Sequence, residues 1–293
     1  MASVEIFAPA KINLFLHVIG RRPDGYHLLE SLVAFADIGD RIAVSESPHW
    51  RFAIHGHFGK DLDPAQTNTV STAAHFIANA ANKPSTLHIT LTKNLPVASG
   101  IGGGSSDAAA TLLACQQLWQ LPSLPSTRDI IAVLGADMPV CLRQRPTLMR
   151  GIGDELTEIG RLPDCNVVLV NPGQSLPTAS VFKSFSEAFS RPLADVPAGG
   201  WANVDDVIGF LQATRNDLTG VAENIVPAIS TVLEALAAQP GCLLARMSGS
   251  GATCFGLFHG PGQAQVAAAN LTQNHPAWWI KAGRLVNDPV SVN

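Results

Sequence analysis

The stretch that decides the fold is Pro96-Val97-Ala98-Ser99-Gly100-Ile101-Gly102-Gly103-Gly104-Ser105-Ser106, and a helical apolar pattern follows it over residues 107–119. Four glycines within the five positions 100–104 are denser than an ordinary turn requires. Glycines without a Cβ allow several backbone N–H groups to converge on an anion, and a following helix adds its unpaired first-turn N–H groups. The stretch therefore predicts a phosphate-binding loop between a strand and a helix.

Two better-known phosphate loops do not account for this stretch. It lacks the Gly-Lys-Ser/Thr ending of a P-loop, and Ser105 stands where the third glycine of a G-x-G-x-x-G loop belongs. Two structural explanations stay open. The stretch is either a flexible Gly/Ser linker or a helix N-terminus that is capped by Ser105, Ser106 or Asp107, all good capping residues.

Length and charge limit the class of protein. The chain has 293 residues, which indicates two domains on the usual prior of about 150 residues per domain. We predict a first domain over residues 1–150 and a second over residues 151–293. The formal net charge of −4 leaves no basic surface for nucleic acid, so a polyanionic partner is not expected.

Cysteine use and hydropathy indicate a protein of the cytoplasm. The five cysteines are odd in number and form no C-x-x-C pair, which favours reduced thiols. Lys11 and Asn13 interrupt the apolar run between Ile6 and Ile19, so this run does not resemble the core of a signal peptide. No other stretch approaches the ~18 apolar residues that a membrane span requires. We therefore expect no membrane partner, and the oligomeric state stays open.

Hydrophobic periodicity and turn residues divide the chain into strands and helices. Strands are predicted over residues 4–19, 28–37, 41–45, 87–92, 166–170, 243–247 and 253–258, and helices over residues 68–79, 107–119, 127–134, 178–189 and 225–238. Residues 190–203 contain two prolines and two glycines and are the loosest part of the chain. Because strands and helices do not alternate strictly, their order predicts an α+β fold.

Two charged residues in apolar surroundings are candidates for chemistry. Lys11, one of six lysines, lies within residues 8–16, and Asp137 lies between Gly135 and Pro139. Each has an ordinary explanation, since most lysines are exposed on the solvent face of a strand and an aspartate at such a position can cap a turn. The functional alternative is a carboxylate base at a hydroxyl group, with the lysine as its partner.

The segment Arg22-Pro23-Asp24-Gly25-Tyr26-His27 contains the only tyrosine of the chain. An Asp-Gly turn followed by an aromatic ring and an imidazole can present a stacking face and a hydrogen-bonding edge to a planar ligand. Alternatively, the tyrosine packs on the surface of its own domain. The pair of histidines at residues 55 and 57 has no further ligand at metal spacing, so no residue is predicted as a metal ligand on spacing alone.

Five segments resemble, in order, the motifs of the GHMP kinase superfamily. They are residues 9–14, 24–27, 95–107, 135–139 and 248–253. The resemblance implies a two-domain α+β fold with the active site in the cleft between an N-terminal ATP-binding domain and a C-terminal substrate-binding domain. It also implies ATP and Mg²⁺ and the phosphorylation of an alcohol. Tyr26 and His27 narrow the substrate to a methylerythritol that carries a cytidine diphosphate group, phosphorylated on its 2-hydroxyl in non-mevalonate isoprenoid biosynthesis.

The resemblance further implies roles for individual residues around the acceptor. Lys11 and Asp137 are the catalytic pair that flanks the acceptor hydroxyl, and Asn13 helps to hold the erythritol portion. Tyr26 and His27 bind the cytosine. The segment around residues 174–179 matches the family only loosely and supplies two further substrate contacts, Thr178 and Phe182.

The same resemblance assigns the triphosphate to the glycine-rich loop. The residues implied are Pro96, Val97, Ala98, Ser99, Gly100, Ile101, Gly102, Gly103, Gly104, Ser105 and Ser106. Ser248 and Gly249 would support this loop and the substrate. Mg²⁺ is expected to be held largely by phosphates and water, with the hydroxyl of Ser105 or Ser106 as a further ligand.

Two other functions fit part of the pattern. A related kinase that acts on mevalonate, homoserine or a sugar would keep the phosphate loop, but it would not need Tyr26 and His27 to receive a cytosine. A catalytically silent nucleotide-binding protein on the same scaffold would not need both Lys11 and Asp137.

Overall fold

The computed structural model describes residues 3–193, 196–197 and 199–291. The strands in these residues are β1 (Ser3–Arg21), β2 (His27–Glu46), β3 (Arg51–His55), β4 (Leu87–Thr92), β5 (Thr147–Gly151), β6 (Glu155–Glu158), β7 (Asn166–Asn171), β8 (Leu244–Met247), β9 (Cys254–Phe258) and β10 (Trp279–Val286). The helices are α1 (Thr69–Ala80), α2 (Gly103–Leu118), α3 (Thr127–Leu134), α4 (Met138–Arg143), α5 (Thr178–Ser184), α6 (Val204–Gln212), α7 (Thr219–Ile225), α8 (Ala228–Ala237) and α9 (Pro261–Asn274).

Strand β2 is the centre of the sheet. It pairs antiparallel with β1 along most of its length, with β4 and β5 at its two ends, and with β10 near its middle. The sequence predicted two strands here, over residues 28–37 and 41–45, and this division was wrong. The strand continues through Gly39 because β1 pairs on both sides of it, with Pro9 opposite Gly39 and Ala8 opposite Asp40.

Strand β10 joins the two halves of the sheet. The order of strands is β3-β4-β2-β10-β7-β9-β8, with β1 and β5 also paired to β2 and β6 paired to β5. All pairings are antiparallel except the one between β3 and β4. The predicted α+β class is confirmed. Residue 150 lies within β5, which pairs with β2 on one side and with β6 on the other. The predicted division of the chain into domains at residue 150 stays a prediction.

Several predicted elements have different bounds in the structure. Helix α2 begins at Gly103 rather than residue 107, and α5 ends at Ser184 rather than residue 189. The helix predicted over residues 225–238 is the end of α7 followed by α8. It is interrupted because Pro227 provides no N–H and the preceding Val226 takes a non-helical conformation. Helices α4, α6 and α9, most of α7, and strands β3, β5, β6 and β10 were not predicted.

The packing of β1 determines what faces the functional site. Ala10, Ile12 and Leu14 belong to a buried apolar cluster that also contains residues of β7 and β9, so this cluster connects the two halves of the chain. Side chains alternate along a strand, so Lys11 and Asn13 face the other side. The register of β1 against β2 shifts between Pro9 and Lys11 and again just after Asn13, and such bulges re-aim side chains next to functional sites.

The segment predicted to be loosest is anchored at its start. The N–H of Ser190 donates to the carbonyl of Val18 (2.9 Å), and the N–H of Leu193 donates to the buried carboxylate of Glu30 (2.7 Å). Residues 194, 195 and 198 of this segment lie outside the described residues. In the part of the chain that is described, no helix has the length and apolar character needed to cross a bilayer.

Candidate active site

A cavity of about 960 Å³ lies between the two halves of the chain and contains most of the residues singled out from the sequence. The first half contributes Lys11, Asn13, Tyr26 and His27, the loop from Pro96 to Gly100, Gly102 to Ser105, and Asp137. The second half contributes Ile152, Thr178, Ala179, Phe182, Gly249 and Ser250. Motifs separated by more than two hundred residues therefore share one site.

The glycine-rich loop takes a backbone path that side chains would obstruct. Gly100 and Gly102 have φ values of 76° and 63°, in the left-handed region that favours glycine. A Cβ on Gly100 would lie 2.5 Å from the carbonyl oxygen of Ser248, and one on Gly102 would lie 2.9 Å from the Cβ of Lys11. The loop thus packs against Lys11 and against residues 248–251, which we call the second glycine turn, and the linker interpretation is wrong.

The loop ends in an open helix N-terminus. Helix α2 starts at Gly103, and its first intrahelical bond runs from the N–H of Ser106 to the carbonyl of Gly102 (2.8 Å). No side chain in the described residues caps this end, so the capping interpretation of Ser105, Ser106 and Asp107 is also wrong. The N–H groups of Gly103, Gly104 and Ser105 precede the first helical bond and lie at the cavity, as an anion site requires.

Lys11 and Asp137 form an ion pair at the cavity wall. The Nζ of Lys11 donates to the Oδ2 of Asp137 at 2.9 Å, with the lysine side chain 6% exposed and the aspartate side chain 37% exposed. Asp137 stands at the start of α4, but its carboxylate caps no N–H group of the residues described. Burial is the largest influence and lowers the pKa of Lys11, but the charge of Asp137, the nearby Cys141 and the hydrogen bond to Asp137 together raise the pKa above its usual value. Lys11 therefore stays charged at neutral pH.

Asn13 lies two residues beyond Lys11 and is linked through Ser248 to the phosphate loop at Gly100. Its side-chain amide donates to the Oγ of Ser31 (2.8 Å), and its backbone N–H donates to the Oγ of Ser248 (3.1 Å). Ser248 in turn donates to the carbonyl of Gly100 (3.1 Å). The Oδ1 of Asn13 is buried at the cavity and has no hydrogen-bond partner within the described chain, so a bound ligand can supply the missing donor.

Aromatic side chains form the other end of the cavity. Tyr26 is 63% exposed and presents a free ring, so it does not pack on its own domain. His27 stacks on Phe182 with the ring centroids 5.2 Å apart and an interplanar angle of 28°. Burial and then the charge of Arg21 lower the pKa of His27, so its imidazole is neutral at pH 7. Thr178 lies beside them and shares a hydrogen bond with Ser250 (2.9 Å).

Comparisons with known proteins decide the family. Residues 68–145 match the GHMP kinases N terminal domain, and residues 193–277 match the GHMP kinases C terminal domain. A 4-diphosphocytidyl-2-C-methyl-D-erythritol kinase of Cereibacter sphaeroides is 49% identical over 96% of this chain and 99% of its own. A kinase of the same name from Paramagnetospirillum magneticum is 46% identical over 98% of this chain and 100% of its own. The chain belongs to this kinase family within the GHMP kinases.

Solved structures agree with the assignment. A crystal structure of 4-(cytidine 5'-diphospho)-2C-methyl-D-erythritol kinase matches with a TM-score of 0.77 and 34% identity, over 96% of this chain and 99% of that one. A homoserine kinase from Cytophaga hutchinsonii shares the fold, with a TM-score of 0.71 at 18% identity. The predicted GHMP kinase fold and the small-molecule kinase class are confirmed.

Three residues that were predicted to bind ligands are not part of the cavity lining given above. Ile101 is fully buried, and its carbonyl accepts the N–H of Lys11 (2.9 Å). Ser106 is buried and donates to the Sγ of Cys141 (3.7 Å), so of the two adjacent serines only Ser105 lines the cavity. Ser248 is buried between Asn13 and Gly100. These residues hold the loops in place, and their contact with a ligand stays a prediction.

The sequence analysis missed a buried charge cluster beside the phosphate loop. The Nζ of Lys93 contacts the Oδ2 of Asp40 (2.5 Å) and the Oδ2 of Asp107 (2.6 Å), and all three side chains are buried. Lys93 and Asp107 line the cavity, next to Gly103. Burial raises the pKa of Asp107 to about 7, although Lys93 opposes this. The sequence offered one signal of this cluster, because Lys93 is one of only six lysines and stands just before the loop.

Proposed function

We propose that this kinase transfers the γ-phosphoryl group of ATP to the 2-hydroxyl of 4-diphosphocytidyl-2-C-methyl-D-erythritol. The product is the 2-phosphate, an intermediate of the methylerythritol phosphate pathway of isoprenoid biosynthesis. The names of the relatives support this substrate. The single observation that carries the proposal is one cavity lined both by Tyr26 and His27 and by the ion pair of Lys11 and Asp137.

The aromatic end suits a cytosine. Tyr26 offers an exposed ring on which a base can stack, and Phe182, which lines the same cavity, is our candidate for the opposite face. A neutral His27 has one N–H donor and one nitrogen acceptor, which matches the mixed donors and acceptors of the cytosine edge. The packing of His27 between Phe182 and Phe185 supports a fixed orientation of the imidazole.

The ion pair suits a hydroxyl acceptor. The 2-hydroxyl of the substrate is a tertiary alcohol, far less acidic than an aspartic acid, whose ordinary pKa is about 3.9, so Asp137 cannot ionise it beforehand. Phosphoryl transfer passes through a loose transition state in which the proton can move late. Asp137 then accepts the hydroxyl proton as the new O–P bond forms and the bond from the γ-phosphorus to ADP breaks.

Lys11 supports this step electrostatically. Its ammonium group donates a hydrogen bond to the carboxylate of Asp137, and its side chain lies against Gly102 of the phosphate loop. A fixed cation between the base and the phosphates offsets the negative charge that gathers there during transfer. Alignment of the acceptor supplies much of the remaining acceleration.

The phosphate loop suits the triphosphate, and Mg²⁺ is proposed to accompany it. The described residues contain no group of three His, Cys, Asp or Glu side chains that would hold a metal ion by themselves. Mg²⁺ usually keeps several waters and binds substrate phosphates, so the cavity-facing hydroxyl of Ser105 is a fitting single protein ligand. When bound, the ion would neutralise phosphate charge.

The thiols support the cytoplasm as the place of this reaction. All five cysteines are free, and Cys115, Cys141, Cys165 and Cys254 are buried. Burial raises the pKa of the thiol of Cys141 to about 12, so it is not a nucleophile even though it lies near the ion pair.

The proposal is tested by ATP consumption with Mg²⁺ and three separate acceptors. These are 4-diphosphocytidyl-2-C-methyl-D-erythritol, mevalonate and homoserine. We expect turnover with the cytidine compound alone. Turnover with another acceptor would overturn the substrate and keep the kinase. The absence of turnover with all three would favour a silent nucleotide-binding protein.

A further inference from the structure

Asn216 connects the second glycine turn to the rest of the molecule, although it lies outside the cavity lining as described. Its side-chain amide donates two hydrogen bonds of 2.8 Å, to the carbonyls of Met247 and Gly249. Its Oδ1 accepts the N–H of Leu218 (3.0 Å). The residue is 5% exposed, so these three contacts fix the carboxamide within the protein interior.

The segment that carries Asn216 is itself fixed to β1. The N–H of Leu16 donates to the carbonyl of Arg215 (3.0 Å), and the N–H of Asp217 donates to the carbonyl of Leu16 (2.8 Å). The buried Arg246 of β8 donates to the carbonyls of Leu14 and Thr214 (2.7 and 2.8 Å). Asn216 therefore has a defined position relative to the strand on which Lys11 and Asn13 lie.

The turn that Asn216 holds presses on both parts of the active site. A Cβ on Gly249 would lie 2.5 Å from the carbonyl oxygen of Gly100 and 3.3 Å from the Oδ1 of Asn13. Ser248 bonds the N–H of Asn13 and the carbonyl of Gly100. The second glycine turn is in direct contact with Gly100 and Asn13. If it moves, the phosphate loop, Asn13 or both must therefore move with it.

We propose that Asn216 is a positioning residue for phosphoryl transfer. Through its two bonds to Met247 and Gly249 it sets the distance between the phosphate loop at Gly100 and the acceptor site at Asn13. The kinetic part of this inference rests on the proposed function. Ground-state binding is spread over the aromatic end and the helix N-terminus, so the main effect of losing Asn216 falls on kcat and not on KM.

The test replaces the amide by a carboxylate of the same shape in Asn216→Asp, which removes both donors. Asn216→Ser is a second variant, since it introduces no charge and shortens the side chain below the reach of both carbonyls. The matched control is Asn287→Asp. Asn287 also holds backbone through its carboxamide, with bonds to the N–H and carbonyl of Leu162 (2.8 and 2.9 Å), and neither residue is part of the cavity lining.

Two readouts decide the outcome. We expect kcat of the Asn216 variants to fall at least ~10-fold with KM for both substrates changed less than about 3-fold, because small misalignments act on the chemical step. Amide hydrogen exchange in peptides covering residues 98–104 and 247–254 should accelerate. Asn287→Asp should leave kcat and the amide exchange of these peptides unchanged, even if its Tm falls by as much as the Tm of the Asn216 variants.

Two results would overturn the inference. One is a kcat within about twofold of the wild type in both Asn216 variants, since misalignment should cost more. The other is unchanged exchange over residues 98–104. If the wild-type protein itself turns over no substrate, the proposed function fails, and the exchange measurement alone decides the role of Asn216.

Discussion

At the scale of the residue, the ion pair of Lys11 and Asp137 shows what one sequence can and cannot tell. Each residue had an ordinary explanation by itself, as a surface lysine and as a capping aspartate. The structure rejects both, because Lys11 is buried and Asp137 bonds to it and not to backbone at the start of α4. A contact between residues 11 and 137 has no signature in local sequence, and the family resemblance was needed to pair them.

Removal of the carboxylate of Asp137 tests its role as base. We expect Asp137→Asn to lower kcat at least ~10²-fold, since the amide cannot accept the hydroxyl proton, and to lower Tm as well, because buried Lys11 loses its charged partner. Steady-state kinetics and thermal unfolding measure the two effects. Asp206→Asn is the control, because Asp206 is an exposed carboxylate at the start of α6. Near-normal turnover of Asp137→Asn would reduce Asp137 to a structural partner of Lys11.

Tyr26 tests the cytosine end of the cavity. Tyr26→Ala removes a stacking contact worth roughly 1 kcal/mol, so KM for the cytidine substrate should rise about fivefold or more while KM for ATP stays unchanged. Tyr26→Phe keeps the ring and serves as the control, with KM near the wild-type value. An unaltered KM in Tyr26→Ala would place the base elsewhere.

Asp107 predicts how stability depends on pH. Burial holds the pKa of its carboxyl at about 7 in the folded state, against about 3.9 in an unfolded chain. A raised pKa stabilises the folded state only while the carboxyl is protonated, so its contribution is complete below about pH 4 and is lost as the pH rises to about 7. Asp40 and Lys93 are its charged neighbours, and the second carboxylate adds to the rise.

Asp107→Asn is the corresponding test, because its amide does not ionise. The free energy of unfolding of the wild type should fall, relative to that of this variant, as the pH rises from about 4 to about 7. Denaturant unfolding at several pH values measures the difference. Parallel pH profiles for the two proteins would show that Asp107 does not titrate in this range.

At the scale of the element, the sequence predicted the phosphate loop and strand β4 well and the start of α2 poorly. The strand has the bounds that alternation predicted, Leu87–Thr92. Helix α2 begins four residues early, at Gly103, because glycine and serine follow the helical path here despite their weak helix propensity. Gly103, Gly104 and Ser105 line the cavity, and this functional arrangement opposes local propensity.

Gly100→Ala tests the contact between the phosphate loop and the second glycine turn. The new Cβ would meet the carbonyl oxygen of Ser248 and the backbone of Gly251, and the φ of 76° adds about 1–2 kcal/mol of strain. We expect a lower Tm and a kcat reduced at least ~10-fold, from thermal unfolding and kinetics on the same sample.

Gly209→Ala is the matched control for this substitution. Gly209 is exposed within α6, and its Cβ would meet nothing within 4 Å. Alanine is the better helix former, so this variant should gain about 0.5–1 kcal/mol of stability with kcat unchanged. Equal effects of the two substitutions would contradict a special role for the backbone at Gly100.

At the scale of the whole molecule, the cavity exists because the two halves of the chain are held together in one sheet and one buried cluster. Strand β10 joins β2 to β7, and the buried cluster on one face of β1 packs against β7 and β9. The ordered motifs gave the fold family, but no periodicity could show that Ser248 and Gly249 would meet Gly100, or that Lys93 would pair with Asp40 and Asp107. Such contacts depend on packing between distant segments.

The central claim is the identity of the phosphoryl acceptor, and phosphorus NMR of the reaction product tests it most directly. The wild-type protein would be incubated with ATP, Mg²⁺ and 4-diphosphocytidyl-2-C-methyl-D-erythritol until ATP is consumed. We predict one new phosphomonoester on the tertiary 2-hydroxyl, with the diphosphate bridge of the substrate intact. A phosphate on another hydroxyl, a cleaved diphosphate, or free inorganic phosphate as the sole product would contradict the account.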